Sequence, residues 1–247
     1  MKRKLQKLFM IASLFGAMSC AENAGDDPFG EINRPVHKFN VAMDTVLLRP
    51  VSQGYGKIVD EEVQVKIANV GSNLGEPKNA INHALQGRAK PAMVNMSRFV
   101  LNSTLGAAGL SDPAAKMGLM PAWTNFDQTL ATWGAPEGPY VELPILGPNT
   151  ARSVAGLVVD QVTNPWPRVL NASQLEKYNY FILLSRINDR TRYGSAIDLV
   201  LYQSADSYVA SRSSYLQAQR GWLEETRSLG APKGQVDETV ELENFYE

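Results

Sequence analysis

The sequence predicts an all-α protein of seven to ten helices joined by conspicuous apolar loops. Apolar side chains recur at three- and four-residue steps through most of the 247 residues, the spacing of one face of an α-helix. No alternating run is bounded by an Asn-Gly or Asp-Gly turn, so strands are not indicated. With 44% hydrophobic and 20% charged residues, the chain is apolar enough to bury a core.

Four helices are predicted in the first part of the chain, each ended by a turn signal such as proline or glycine. In the first of them Val36, Phe39 and Met43 recur at helical spacing, and in the fourth Met93 and Met96 lie on one apolar side. The four helices run from Pro28 to Pro50, from Ile58 to Pro77, from Lys78 to Gln86 and from Ala92 to Leu101.

Two apolar passages surround a short helix predicted from Asn125 to Trp133. The first, Leu105 to Leu110, is small, glycine-rich and uncharged. The second, Gly134 to Pro148, contains Pro136, Pro139, Pro144 and Pro148, which exclude a regular helix because each proline removes a donor and fixes φ. A loop this apolar is costly to leave in water, so we expect something to cover it.

Three longer helices are predicted in the remainder, from Thr150 to Val162, from Leu170 to Tyr193 and from Ser195 to Leu229. The acidic residues 231–247 are expected to form a solvated tail. The last helix is expected to face inward through Ile197, Leu201, Tyr208, Tyr215 and Leu223.

The first nineteen residues have the pattern of a secretory signal. Four basic residues precede the apolar run from Leu8 to Met18, whose length of about eleven residues suits a signal core and is too short to cross a bilayer. Small residues then precede Cys20, the only cysteine. Residues 1–19 are therefore predicted to be a signal peptide, and residues 20–27 to be a lipidated cysteine with a short tether. Residues 28–230 are predicted to form a helical domain.

Cys20 has two interpretations. It is either a buried free thiol of a secreted protein or the acylation site of a bacterial lipoprotein, where covalent lipid anchors the chain to a membrane. Its position after a signal core favours lipidation. Ala21 follows it instead of the aspartate that retains lipoproteins in the inner membrane, so we expect the periplasmic side of the outer membrane.

Composition and motifs argue against nucleic acid, metal and catalysis. After the signal, 20 basic and 25 acidic residues remain, without a basic stripe for nucleic acid. His37 and His83 are far apart in sequence and are interpreted as surface or structural residues. A lipid hydrolase needs a serine with a base in reach, often as Gly-x-Ser-x-Gly, and no such pentapeptide occurs. We therefore expect no enzyme activity and no cofactor besides the covalent lipid on Cys20.

The body resembles the MlaA/VacJ family of outer-membrane lipoproteins over about residues 26–220. Ser153 and Ser207 stand where this family more often has an acidic residue and a proline. The resemblance rests on several separate passages in the same order: Asp27 to Arg34, Phe39-Asn40, Arg49 to Val51, Ser72 to Pro77, Leu101 to Gly106, Phe126 to Leu130, Trp133-Gly134 and Gly138 to Pro144.

This resemblance implies a single ring-shaped multi-helix domain embedded in the periplasmic leaflet of the outer membrane. An amphipathic channel through the ring would carry misplaced phospholipids from the outer leaflet to a soluble periplasmic carrier of the MlaC type. Association with a trimeric porin is also implied. The result would be maintained lipid asymmetry.

Five residues are candidates for lining or gating this channel: Phe39, Asn40, Tyr140, Leu143 and Pro144. Asn40 is equally interpretable as a solvent-facing residue, and the Gly134–Pro148 loop as a rigid connector. Three functions stay open at this point: a lipid-conducting channel, a scaffold that binds porins without conducting lipid, and a lipid hydrolase that would depend on a histidine.

Overall fold

The computed structural model describes residues 27–230, with side chains as far as Glu224. The predicted signal peptide, Cys20 and the acidic tail lie outside the described residues. The predicted all-α class is confirmed, apart from one short β-hairpin. Within the described residues, no helix has the length and apolar character needed to cross a membrane.

The first helix is longer than predicted and contains a wide turn. Helix α1 (Gly30–Met43) continues through a π-helical turn, π1 (Asp44–Leu48), into α2 (Arg49–Ile58). The prediction that Arg49-Pro50 ends this helix is wrong. Pro50 falls in the first turn after π1, where the N–H that proline lacks is not required for a regular α-helical bond.

The second and third predicted helices are one helix, α3 (Glu61–Leu85), with Pro77 inside it. This prediction was wrong because one lost backbone hydrogen bond is outweighed by packing along the whole length of α3. Its main partner is α4 (Ala89–Thr104), and α9 (Ala172–Arg192) packs on it as well.

The other helices mostly begin at polar N-caps. Side chains of Asp112, Asn125 and Thr150 accept from backbone N–H groups of the first turns of α5, α6 and α7, and Asn171 forms a capping box with Gln174, which satisfies donors that a helix leaves free. The last predicted helix is interrupted at residues 204–206. The remaining elements are α5 (Pro113–Lys116), α6 (Phe126–Thr132), α7 (Ala151–Thr163), α8 (Trp166–Val169), α10 (Gly194–Asp198), π2 (Leu199–Gln203) and α11 (Ser207–Gly230).

The proline-rich loop contains a hairpin that the sequence pattern did not indicate. Strand β1 (Tyr140–Leu143) pairs antiparallel with β2 (Gly147–Thr150), with Tyr140 opposite Thr150 and Glu142 opposite Pro148. A two-stranded ribbon tolerates Pro148 because proline needs no ladder partner at a sheet edge. The chain reverses through positive φ angles at Ile145 and Gly147.

Contacts between these elements form a closed circuit. Starting from α1, each of the following elements contacts the next and the last contacts the first: α1, β1, β2, α7, α6, α3, α9, α2 and π1. Helix α11, which is not part of this circuit, contacts β2 and π2. The ring-shaped domain that the sequence resemblance implied requires a closed circuit of this kind.

The interior of the described domain is polar. No leucine, isoleucine, valine or methionine in it is buried, whereas its largest fully buried side chains include Arg98, Gln128 and Glu76. Conversely, many large apolar side chains are exposed, among them Met93 at 67% and Val46 at 77%. This is the reverse of a water-soluble protein, where apolar residues fill the core.

Helix α4 illustrates the inversion. The apolar side of this helix exists, but Met93, Met96 and Val100 on it face outward and Phe99 is half-buried. The opposite side buries Asn95, Arg98 and Asn102, and the Asn95 amide exchanges two hydrogen bonds with the backbone of Ala122, at 2.6 and 3.1 Å. The apolar side of this helix is therefore not part of a buried core. In the last segment Tyr208 is buried, whereas Ile197, Leu201, Tyr215 and Leu223 are only partly covered.

Two adjacent residues of α4 test the inversion. We expect Asn95→Leu to lower the free energy of unfolding in detergent micelles by about 2 kcal/mol, because it leaves the Ala122 N–H without its partner and the Ala122 carbonyl with His83 alone. Met96→Ser, at an exposed position, should change it by less than about 0.5 kcal/mol. Denaturant unfolding followed by circular dichroism measures both. A larger loss for Met96→Ser than for Asn95→Leu would contradict an inverted interior.

Candidate functional site

The candidate site is the β-hairpin together with the face of α1 that holds it. Asn33, His37, Asn40 and Asp44 follow each other at steps of four, three and four residues, so they form one stripe along the helix. Asn33, His37 and Asp44 are buried and Asn40 is half-buried, whereas Phe39 on another side of the helix is exposed. We call these four residues the polar stripe.

Two asparagines of the polar stripe bind the hairpin backbone. Asn33 Nδ2 donates to the Tyr140 carbonyl at 3.1 Å, and its Oδ1 accepts from the Glu142 N–H at 2.9 Å. Asn40 repeats the arrangement three residues further along the chain, donating to the Leu143 carbonyl at 2.9 Å and accepting from the Ile145 N–H at 2.7 Å. The two amides thus act on β1 as a neighbouring strand would.

Glu142 is the centre of the contact between helix and hairpin. Its carboxylate accepts from Asn40 Nδ2 at 3.1 Å, faces His37 Nδ1 at 3.4 Å and accepts from the Tyr140 hydroxyl. Burial disfavours the charged carboxylate, but the hydrogen bonds from His37, Tyr140 and Asn40 outweigh burial and lower the pKa of Glu142 below its ordinary 4.5. The site therefore keeps a buried negative charge that is fully hydrogen-bonded.

His37 links α11 to the same site. Its Nε2 lies 2.9 Å from Ser207 Oγ, and its ring packs edge-on against Tyr208 at 5.6 Å between centroids. Tyr208 in turn donates to Asp27, which accepts from Asn33 at 3.3 Å. The first described residue and the last helix are thus fastened to the polar stripe.

The hydrolase hypothesis can be tested at this site, because its connectivity is that of a hydrolase triad formed by Ser207, His37 and Glu142. A triad also needs free backbone donors beside the nucleophile to stabilise an oxyanion. The N–H groups of Tyr208 and Val209 both donate to Asp206 Oδ1, at 3.0 and 3.1 Å, which places a carboxylate there instead. The geometry favours a structural bond between helices over acyl hydrolysis.

The structure brings most of the predicted site residues together. Asn40, Tyr140 and Leu143 all take part in the contact between α1 and the hairpin. Asn40 is therefore neither a simple solvent-facing residue nor an isolated one. Pro144 lies at the hairpin tip, while Phe39 faces outward and makes no contribution to the polar stripe. Their roles in lining or gating a channel remain predictions.

Three residues of the site were not predicted, namely Asn33, Glu142 and Ser207. His37 was interpreted only as a surface or structural residue. The signal that could have found the stripe is the spacing of Asn33, His37 and Asn40, three polar residues on one helical face, whereas the charged residues Arg34 and Lys38 lie on another side of the helix. Neither histidine holds a metal within the described residues, where no suitable group of ligands occurs. His83 Nε2 instead lies 3.1 Å from the Ala122 carbonyl.

The hairpin tip is apolar, exposed and strained. Ile145 and Leu146 are 73% and 65% exposed, and Ile145 has a φ of 68°, a conformation that β-branched residues rarely adopt. Its N–H bond to Asn40 helps to retain that conformation. Strain of this kind is concentrated at functional sites and switch regions.

The fold and the site define a class of protein. A helical domain with an apolar exterior, a hydrogen-bonded polar interior and an apolar hairpin tip is suited to an environment of lipid, because in water its surface would favour association. The chain belongs to the MlaA lipoprotein family, whose model matches residues 25–221. This confirms the resemblance found in the sequence.

The chain is similar along most of its length to two proteins named MlaA and to an uncharacterized protein. The chain is 30% identical over 231 residues to the intermembrane phospholipid transport system lipoprotein MlaA of Escherichia coli, covering 88% of this chain and 87% of the relative. The protein of the same name from Haemophilus influenzae is 29% identical, with 85% and 87% covered. An uncharacterized protein of Rickettsia felis is 35% identical, with 84% and 82% covered.

A solved structure has the same fold. It comes from work on the structural basis for maintenance of bacterial outer membrane lipid asymmetry, and it superposes with a TM-score of 0.69 at 30% identity. The match covers 80% of this chain and 99% of that one.

The two serines noted as departures from the family have defined local partners here. Ser207 Oγ lies 2.9 Å from His37 Nε2, and Ser153 Oγ donates to Asn149 Oδ1 at 2.9 Å.

Acid should weaken the contact between α1 and the hairpin. Because the pKa of Glu142 is lowered in the folded protein, its charge stabilises the fold above its ordinary pKa, and this contribution is lost as the pH falls through the lower folded-state value. We expect Glu142→Gln to be less stable than wild type at pH 7 and to lose less stability on acidification below about pH 4.5.

Unfolding in micelles at a series of pH values measures this difference, with Glu61→Gln, an exposed site at the start of α3, as the control for removing one negative charge. If wild type and Glu142→Gln lose stability in parallel as the pH falls, Glu142 does not carry the charge that holds the hairpin.

Proposed function

We propose that this protein is a lipoprotein channel that removes mislocalised phospholipids from the outer leaflet of the outer membrane. It passes them to a soluble periplasmic lipid carrier and so maintains lipid asymmetry. The observation that carries the proposal is the inverted interior of the described domain: an apolar exterior around a polar, hydrogen-bonded interior in a member of the MlaA family. No covalent chemistry is required of any residue.

The physical reason concerns the lipid head group. A phospholipid that moves between leaflets carries charge through hydrocarbon, which costs many kcal/mol if the charge is bare. A passage that offers polar groups to the head and apolar groups to the tails lowers that barrier. A ring whose polar side chains face inward and whose apolar side chains face outward supports such a passage better than a conventional apolar core would.

The contact between the polar stripe and the hairpin is proposed to gate the passage. The hairpin is held by side-chain amides of Asn33 and Asn40 and not by a further strand. Such a contact can be broken without unfolding a sheet. Leu143 is half-buried beside it, and Pro144, Ile145 and Leu146 form the apolar tip.

Lipid anchoring is proposed through acylated Cys20, on the periplasmic side of the outer membrane. Only six residues separate Cys20 from Asp27, so an extended tether reaches at most about 25 Å. The body then has to lie at or in the leaflet that holds the anchor. An exterior rich in exposed valine, leucine and methionine supports burial in that leaflet. A trimeric porin is proposed as the neighbouring protein.

The experiment measures outer-leaflet phospholipid in the native bacterium by labelling surface-exposed head groups. Cells that lack the protein are complemented with wild type, Leu143→Asp or Leu143→Met at matched membrane levels. We expect deletion to raise surface phospholipid. Complementation with wild type or Leu143→Met should return it to the normal low level. Leu143→Asp should fail, because a carboxylate beside the lipid tails is costly.

Each other result has a definite meaning. If deletion leaves surface phospholipid unchanged, the channel is rejected and a scaffold that binds porins without conducting lipid takes its place. If deletion raises surface phospholipid but Leu143→Asp returns it fully to the normal level, lipid does not pass the hairpin, and the proposed gate is wrong.

A further inference from the structure

An ion cluster around the buried pair Arg190 and Asp44 joins the first helix to the segment that precedes the last one. Arg190 donates to both carboxylate oxygens of Asp44, at 2.8 and 2.9 Å, and to Asp198 at 2.6 Å. Arg49 donates to the other oxygen of Asp198 at 2.8 Å and lies over the ring of Tyr202. The Tyr202 hydroxyl donates to Asp44 at 2.7 Å. We call these five residues the Arg190 cluster.

Both π-helical turns lie at the Arg190 cluster. Asp44 is the first residue of π1, Asp198 immediately precedes π2, and Tyr202 lies within π2. A π turn contains one residue more than an α turn, is rare, and occurs often at functional sites. Thr45 in π1 and Tyr202 in π2 also share a hydrogen bond of 3.0 Å between their hydroxyl groups. The two wide turns are therefore fastened to each other.

The Arg190 cluster determines how α1 is rotated. Asp44 is the last member of the polar stripe and lies one helical turn from Asn40, about 6 Å along the axis. If π1 relaxed to α-helical geometry, the preceding helix would rotate by about 100° relative to α2. Asn33 and Asn40 would then no longer face the hairpin.

The other side of the cluster leads to the same hairpin. After π2 the chain bends at residues 204–206 and enters α11, whose first residue, Ser207, lies 2.9 Å from His37. Helix α11 also contacts β2. Two segments that start from one ion cluster thus flank the hairpin.

We propose that Arg190 is a positioning residue: with Asp44 and Asp198 it fixes the rotation of α1 and so keeps the hairpin docked. The consequence for lipid passage rests on the proposed function, but the positioning itself does not. Arginine suits this role because its planar fork binds Asp44 through two parallel bonds and reaches Asp198 as well, whereas lysine would keep the charge without the fork.

The experiment is hydrogen exchange on the full-length lipoprotein in detergent micelles. The amide groups of Glu142 and Ile145 donate to the Asn33 and Asn40 side chains, so their exchange reports undocking of the hairpin. We expect Arg190→Lys to accelerate their exchange about tenfold relative to amides in the interior of α3, because undocking is a local opening.

Arg98→Lys is the matched control. Arg98 is equally buried and also bonds two carboxylates, Glu76 at 2.7 Å and Asp112 at 2.8 Å, but its cluster joins α4 to α3 and to the start of α5. We expect this variant to lose global stability without selective exchange at Glu142 and Ile145. Equal acceleration at these amides in both variants would overturn the proposal.

Tyr202→Phe keeps the experiment decisive if Arg190→Lys fails to fold. It removes only the hydroxyl contacts to Asp44 and Thr45 and leaves the charges in place. We expect a smaller but selective acceleration at Glu142 and Ile145, and unchanged exchange there would overturn the proposal. Selective exchange combined with normal lipid asymmetry would leave the positioning role standing and reject the gate.

Discussion

Hydrogen bonding among buried side chains is the interaction on which this structure depends. The apolar residues that would normally form a core lie on the outside, so the elements are joined by pairs such as Arg98 with Glu76, Arg152 with Asp127 and Arg190 with Asp44. A buried polar group that loses its partner costs about 1–3 kcal/mol. Each member of this network is therefore constrained by its neighbours.

The hairpin shows how such an interior can also hold a movable part. Its edge is satisfied by the Asn33 and Asn40 amides, and its charge by His37 and Tyr140. All of these partners are side chains, so docking depends on the rotation and position of one helix. That rotation is held about a turn away by Asp44 and its arginine. A polar network of this kind connects distant parts because its bonds are directional, whereas apolar contacts permit sliding.

Helical spacing allowed the helices to be predicted, but not the side that each one buries. The apolar face of Met93 and Met96 is real, but its direction could not be predicted, because a 3.6-residue period is the same whether the apolar side faces a core or lipid. Pro50 and Pro77 were interpreted as helix ends, although packing and a π turn accommodate them. The hairpin was missed because Pro144 and Pro148 suppress strand signals. Asn40, Tyr140 and Leu143 were predicted from family resemblance, whereas Glu142 emerged only when the fold brought it to His37.

The inverted interior has a consequence for the heat capacity of unfolding. In an ordinary domain unfolding hydrates apolar surface and raises the heat capacity by roughly 12–15 cal/mol/K per residue, whereas hydration of polar surface lowers it. Here the groups released from the interior are mostly amides, hydroxyls and charges. The change should therefore be small, so that the stability curve is nearly straight with temperature and stability keeps rising on cooling instead of passing through a maximum.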